Sequence, residues 1–172
     1  STWTMDRRLS IGGNVDTGDN GGTGTLNIQP GGSVSVAQDT VLFPDGLLKL
    51  EGGTLVATTI GFRGVQFEWT SGTLHIDLYN GDLTNPNGFV LAPGTSAGST
   101  SIIGDYTQQA GAKLEIEIGG LSAGGTHDLV NITGSALLGG RLQLAMIDGF
   151  LPSAGNTFTV LNAADGIFGV FS

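Results

Sequence analysis

The residues with the clearest catalytic spacing form a Gly-x-Ser-x-Gly segment at positions 94–98. In α/β-hydrolases this segment holds a nucleophilic serine at a sharp turn between a strand and a helix, and an acid and a histidine follow along the chain. Asp105 and His127 follow Ser96 in that order. Residues 99–108, however, are dominated by Ser, Thr and Gly and predict no helix. We therefore expect Ser96 to lie in a turn with no base nearby.

A second chemical possibility is the carboxylate pair Glu115 and Glu117. Alternate residues of a strand lie on one face about 7 Å apart, which falls within the spacing that inverting glycosidases use. Lys113 shares that face, and the sequence offers no evident aromatic platform for a sugar. The pattern favours a solvated strand face, and we expect the chain not to be an enzyme.

Metal ligands are sparse. His75 and His127 are too few and too far apart in the sequence to predict a zinc site. Residues 21–24 begin like the calcium-binding nonapeptide repeat, but Leu26 stands where that motif needs an aspartate. We expect no cofactor other than a weakly held Ca²⁺. The candidate calcium ligands cluster in one loop: Asp16, Asp19 and Asn20.

The elements that must position these residues are predicted to be strands. Apolar and polar residues alternate throughout the chain, which is typical of half-buried strands, and no window keeps an uninterrupted helical stripe. If the strands share one apolar column, a defined set of aliphatic side chains is buried. These are Leu26, Ile28, Val34, Leu48, Leu50, Leu55, Leu74, Ile76, Leu114, Ile116, Leu142 and Leu144.

Glycine corners separate the strands. Gly-Thr-Leu recurs at residues 24–26, 53–55 and 72–74, and Gly-Gly pairs are frequent. Gly reaches the corner conformations that a sharply turning coil requires, and stacked coils bury one another's aliphatic faces. The pattern predicts an all-β fold, a parallel β-solenoid with coils of about 20 residues. An antiparallel β-sandwich, which also has regular short strands, is the alternative.

Composition restricts the function further. The 172 residues include 31 Gly and no Cys, so disulfides and thiolate metal sites are excluded. Only 12% of residues are charged, a composition common in secreted and cell-surface proteins, and the net charge is −9. Such a chain repels phosphate backbones, so we expect no nucleic-acid partner. No apolar run approaches the roughly 20 residues of a membrane span.

The C-terminal half resembles the passengers of bacterial autotransporters and related Gly-rich surface repeat proteins. The residues that carry the resemblance are Leu-Ala-Pro-Gly-Thr-Ser-Ala-Gly at 91–98, Ile-Ile-Gly-Asp-Tyr-Thr-Gln at 102–108, the strands at 111–120 and 127–134, and the segments at 138–142 and 158–161. His127 stands where the family usually has Tyr. The resemblance covers about residues 88–171 and implies a right-handed parallel β-helix that a bacterium exports to its surface.

These observations predict one domain over residues 1–172, with generic Gly-rich repeats at 1–80 and passenger-like coils at 88–172. We expect a secreted or cell-surface structural or adhesive module: a stalk, adhesin, matrix or filament component. The alternative is a carbohydrate-binding or polysaccharide-acting β-helix. Surface glycans are candidate partners. Residues 165–172 are apolar and almost uncharged, so we expect this end to pack on its own coil or on a second copy, giving self-association through the terminal coils.

Aromatic side chains offer one further candidate binding patch. Phe67 and Trp69 alternate with Glu68, so both are expected to face the interior or to cap a coil. Trp3 and Phe62 belong to the same candidate group. We expect these aromatic side chains to serve packing.

Overall fold

The computed structural model describes residues 1–19, 21–62 and 67–172, and it leaves the side chain of Phe62 out. The described residues are all-β and contain no helix. They therefore hold no helix with the length and apolar character needed to cross a membrane. The chain divides into two compact units, Ser1–Leu74 and His75–Ser172.

The strands of the first unit follow one another along the chain and pair with strands one coil later. They are β1 (Thr2–Met5), β2 (Leu9–Ile11), β3 (Gly24–Ile28), β4 (Ser33–Leu42), β5 (Gly46–Phe62) and the first part of β6 (Phe67–Asn80). β1 and β2 both pair with β4, and β3 and β4 both pair with β5. The register places aliphatic residues beside aliphatic residues, because Val34 lies beside Leu55 and Ile28 lies beside Leu50. Each rung thus buries aliphatic side chains against the next.

The second unit contains the remaining strands. They are the end of β6, then β7 (Leu83–Asn85), β8 (Val90–Pro93), β9 (Ser99–Ile103), β10 (Tyr106–Gln108), β11 (Lys113–Ile118), β12 (Leu129–Ile132), β13 (Ala136–Leu138), β14 (Arg141–Met146), β15 (Leu161–Ala163) and β16 (Ile167–Gly169). Three ladders run through this unit: β8–β11–β14, β9–β12–β15 and β7–β10–β13–β16. Successive strands enter successive ladders, so the chain passes through all three ladders once per coil.

Every strand pair whose register is described is parallel. The predicted all-β class with mostly parallel strands is therefore confirmed. An antiparallel sandwich does not describe these ladders, because a sandwich joins neighbouring strands by hairpins, whereas here the paired strands are separated by whole coils.

The predicted core is correct at most positions. Nine of the twelve predicted aliphatic side chains are buried: Ile28, Val34, Leu48, Leu50, Leu55, Leu74, Ile76, Leu114 and Ile116. Leu26 and Leu142 are only half-buried. The prediction is wrong for Leu144, whose side chain is 52% exposed. Leu144 lies on β14, and among the described strands β14 pairs with β11 alone, so no further described rung covers Leu144.

Two glycines show why the corners cannot carry side chains. Gly72 has a φ of 103°, and a Cβ there would lie 2.3 Å from the carbonyl oxygen of Gly53. Gly140 has a φ of 60°, and its Cβ would lie 2.2 Å from the carbonyl oxygen of Ala112. Both positions combine a left-handed backbone with close approach to the neighbouring coil, so only Gly fits.

The interior of the second unit also contains a polar network, which period-two patterning does not predict. Asn85, Tyr106 and Gln108 are all buried. Tyr106 Oη donates to Gln108 Oε1 at 2.8 Å, and Asn85 Nδ2 donates to the carbonyl of Lys113 at 2.8 Å. Burial raises the pKa of the Tyr106 hydroxyl, so it stays protonated and continues to donate.

Candidate functional site

A group of four titratable side chains lies together in the second unit. His75 on β6 and Glu115 and Glu117 on β11 line a small cavity together with Asp128, which immediately precedes β12. Strand alternation turns Leu114 and Ile116 into the core and leaves the two glutamates half-buried on the outer face. Parallel stacking therefore assembles this cluster from three separate segments.

Asp128 connects the parts of the cluster. Only 1% of its surface is exposed, and its two carboxylate oxygens accept from the backbone N–H groups of Gly98 and Glu117, each at 2.7 Å. Burial raises its pKa above the ordinary value of 3.8, against the lowering effect of these two donors. Asp128 thus joins the turn that ends at Gly98 to strand β11.

The size of the cavity decides what this cluster can do. A raised pKa suits a general acid, but both oxygens of Asp128 are occupied by backbone donors. The cavity has a volume of about 40 Å³, which holds water but is far below the roughly 300 Å³ of the smallest ordinary ligand sites. Glu115 is engaged by Gln143, whose Nε2 lies 3.4 Å from Glu115 Oε2. The arrangement favours a structural role for these carboxylates.

The candidate hydrolase triad is not brought together. Ser96 is exposed in a turn. The ring nitrogens of His127 lie 3.0 Å from the carbonyl oxygen of Gly120 and 3.2 Å from that of Thr159. Asp105 Oδ1 accepts from both the backbone N–H and the hydroxyl of Ser135. His127 and Asp105 therefore have hydrogen-bond partners other than each other and Ser96.

The candidate calcium loop divides between two hollows. Asp19 lines a concavity of about 450 Å³ with neighbouring glycines, whereas Asp16 lines a different hollow beside Arg7 and Arg8. The Asp16 backbone N–H donates to Asn14 Oδ1 at 2.9 Å. Asn20 lies outside the described residues. In the described part of the chain, no group of three or more His, Cys, Asp or Glu side chains is arranged to hold a metal ion, and the calcium site stays a prediction.

The aromatic residues pack largely as expected. Trp69 is buried and stacks on the half-buried Phe67, with ring centroids 6.4 Å apart and planes inclined by 25°. Trp3 differs, because 46% of its surface is exposed on the outermost strand β1. The side chain of Phe62 lies outside the described part of the structure.

A further feature escaped the sequence reasoning. Lys113 on β11 and Arg141 on β14 occupy the same position on adjacent rungs and line a groove of about 390 Å³. The signal was present in the sequence, because Ala112-Lys113-Leu114 and Gly140-Arg141-Leu142 are both variants of the recurring Gly-Thr-Leu tripeptide. Aligning these two tripeptides places Lys113 and Arg141 at the same position.

Comparison of this chain with protein-family models, curated proteins and solved structures finds no match.

Proposed function

We propose that this chain is a structural or adhesive module of a bacterial surface, built as a right-handed parallel β-helix of the autotransporter-passenger type. The observation that supports the proposal best is the in-register parallel stacking of strands within each of the two units, in which each rung buries aliphatic side chains against the next. Such stacking extends a chain by repetition, and extended repeat surfaces are what solenoid proteins use for binding and display.

The outer faces of the rungs fit the same role. Small polar side chains repeat from rung to rung: Ser101 pairs with Asn131, and Asn131 pairs with Asn162. Asn162 Nδ2 donates to Asn131 Oδ1 at 3.2 Å. A face of this kind stays hydrated with few charges, which suits a chain with only 12% charged residues.

Location provides the direct test. In the organism that makes the protein, intact cells are treated with protease and the chain is followed by immunoblot, with a cytosolic protein as the control. We expect the chain to be cleaved or released while the cytosolic protein stays intact. Retention of the chain in a protected cytosolic fraction would contradict the proposal.

A crystal structure tests the handedness of the coils.

We also propose that the module self-associates through its outermost rungs, with a second copy as the partner. In the described part of the chain, β14 and β16 each pair on one side only and expose apolar side chains, among them Leu144 (52%) and Phe168 (56%). Strand β1 of the first unit, whose described pairing is with β4, exposes Trp3. Unpaired parallel edges with apolar side chains recruit further strands, so one of these edges can pair with an edge of a second copy.

Sedimentation velocity over a range of concentrations tests this association. Phe168→Ser should reduce the larger species, whereas Leu121→Ser, at an equally exposed leucine in the loop before β12, should not. A parent chain that stays monomeric at high concentration would rule the association out.

Carbohydrate binding is the second candidate function. The groove beside Lys113 and Arg141 favours it, because its volume of about 390 Å³ falls within the range of small-ligand sites. The cavity of about 40 Å³ beside Glu115 and Glu117 gives polysaccharide cleavage much less support.

A further inference from the structure

The groove in the second unit lies at a corner where the chain enters the ladder β8–β11–β14. Its lining includes Gly88, Phe89, Gly111, Lys113 and Arg141. Corners of successive coils stack here just as the strands do, so the groove runs across the three rungs β8, β11 and β14.

The two cations are held close together by the register. Lys113 pairs with Arg141 in the parallel ladder, directly opposite on neighbouring strands, and such strands lie about 4.8 Å apart. Like charges directly opposite each other in a sheet destabilise it. The chain has 6 basic and 15 acidic residues, so two basic residues directly opposite each other are unexpected.

Elsewhere in the described part of the chain, two cations are each paired with a carboxylate. Arg8 forms an ion pair with Asp39 at 3.1 Å, and Lys49 forms one with Glu68 at 2.8 Å. Each of these pairs joins a cation to a carboxylate that lies about one coil later in the chain. Among the described residues, Lys113 and Arg141 are found in no such ion pair.

The carboxylate nearest in the sequence does not neutralise this pair. Glu115 follows Lys113 by two residues on the same face, and its carboxylate is contacted by the amide of Gln143 on the next rung. No ion pair between Lys113 and Glu115 is found among the described residues. Both cations line the groove.

The walls and floor of the groove leave recognition to these two cations. Gly88 has a φ of 87°, and no atom lies within 4 Å of the position where its Cβ would be, so the groove stays open there. The backbone N–H groups around the corner are already engaged: Gly88 donates to Gly111, Lys113 to Phe89, and Arg141 to Ala112. Ser172 also lines the groove, and its hydroxyl and backbone N–H both donate to the carbonyl of Gly140. An occupant thus meets glycine backbone, the small side chain of Ser172, Phe89 and two positive charges.

We propose that Lys113 and Arg141 bind the carboxylate or sulfate group of an acidic saccharide in this groove. Arg offers a planar fork of donors that matches an oxyanion, and Lys adds a second point charge. The net charge of −9 repels densely charged polyanions, so a sugar of one to three units with few acidic groups is favoured over a nucleic acid. The inference rests on the second proposed function, carbohydrate binding, and names its ligand class.

The test is a titration of the ¹⁵N-labelled full chain with galacturonic acid trimer, and with galactose trimer as the neutral match. We expect shifts in residues 88–90, 110–113 and 140–142 with the acidic trimer only, and weaker binding as salt is raised. Lys113→Gln and Arg141→Gln should each lower the affinity about tenfold or more, because each removes charge-assisted hydrogen bonds. Arg8→Gln changes the net charge equally but lies in the first unit, so it should leave the affinity unchanged.

Folding is checked on the same variants. Without ligand, Lys113→Gln removes a like-charge contact, so its melting temperature should equal or exceed that of the parent chain. Equal binding of the two trimers, or equal weakening by Arg8→Gln and Lys113→Gln, would overturn the site. Absence of acidic-trimer binding would also overturn it, while the surface location, measured by proteolysis of intact cells, would stand or fall separately.

Discussion

Replacing Leu114 by Ala tests the stacking that underlies the whole fold. Leu114 is fully buried on β11, with Leu91 beside it on one rung and Leu142 on the other. The substitution removes about three methylene equivalents, worth about 2.4 kcal/mol of transfer free energy at ~0.8 kcal/mol each. A cavity enclosed by neighbouring rungs adds to that cost, so we expect a loss of about 2–5 kcal/mol in the free energy of unfolding.

Leu144→Ala is the matched control, because it makes the same chemical change one rung further on the same ladder. Leu144 is 52% exposed, and the described strands include no rung beyond it on this ladder. About half of its apolar surface is already in water and no closed cavity forms, so the loss should be about 1 kcal/mol or less.

The assay must report on the second unit by itself, because a chain of two compact units need not unfold in one step. Native-state hydrogen exchange of the amides in β11 and β12 satisfies this requirement, with urea unfolding followed by circular dichroism as a second measurement. Equal costs for Leu114→Ala and Leu144→Ala, or a cost below 1 kcal/mol (roughly the surface value) for Leu114→Ala, would refute the assignment of Leu114 to an enclosed core.

Three further predictions concern a corner glycine, a buried hydrogen bond and a buried carboxylate. Gly72→Ala should unfold at markedly lower urea than Gly31→Ala, since both have positive φ but only Gly72 meets neighbouring backbone. Tyr106→Phe should cost about 1–3 kcal/mol by the same exchange assay, because a buried acceptor loses its donor. Burial raises the pKa of Asp128, so its stabilising contribution is complete below pH 3.8 and declines as pH rises through the folded-state pKa. Asp128→Asn should remove this decline from urea midpoints measured against pH, and an unchanged pH profile would contradict the assignment.

The sequence was sufficient to predict the strands and most of the core, because alternation with period two is a local signal. Ile116 needed only its neighbours Glu115 and Glu117 to be assigned to the interior, and it is fully buried. Buried polar residues were missed for the same reason. Gln108 is 2% exposed, yet its amide donates to the carbonyls of Gly139 and Arg141 a whole coil later, and no local pattern contains those partners.

Register was harder to predict, since the coils differ in length. Ser33 pairs with Thr54 after 21 residues, whereas Thr2 pairs with Ser33 after 31. The additional residues form loops outside the ladders, and such loops can change length without disturbing the stacked strands. An expected coil of about 20 residues therefore places some rung partners correctly and misplaces others.

This difference in predictability bears directly on function. Any site on the face of stacked coils is composed of residues one coil apart, so a motif search along the chain finds members of a site and not the site itself. Residues 94–98 matched a hydrolase motif, yet Ser96, Asp105 and His127 contact different neighbours. Lys113 and Arg141 match no motif, yet the ladder places them side by side. On such a fold, a binding site is best sought from charges and shapes that adjacent rungs bring together, and the groove beside these two cations is where that reasoning leads.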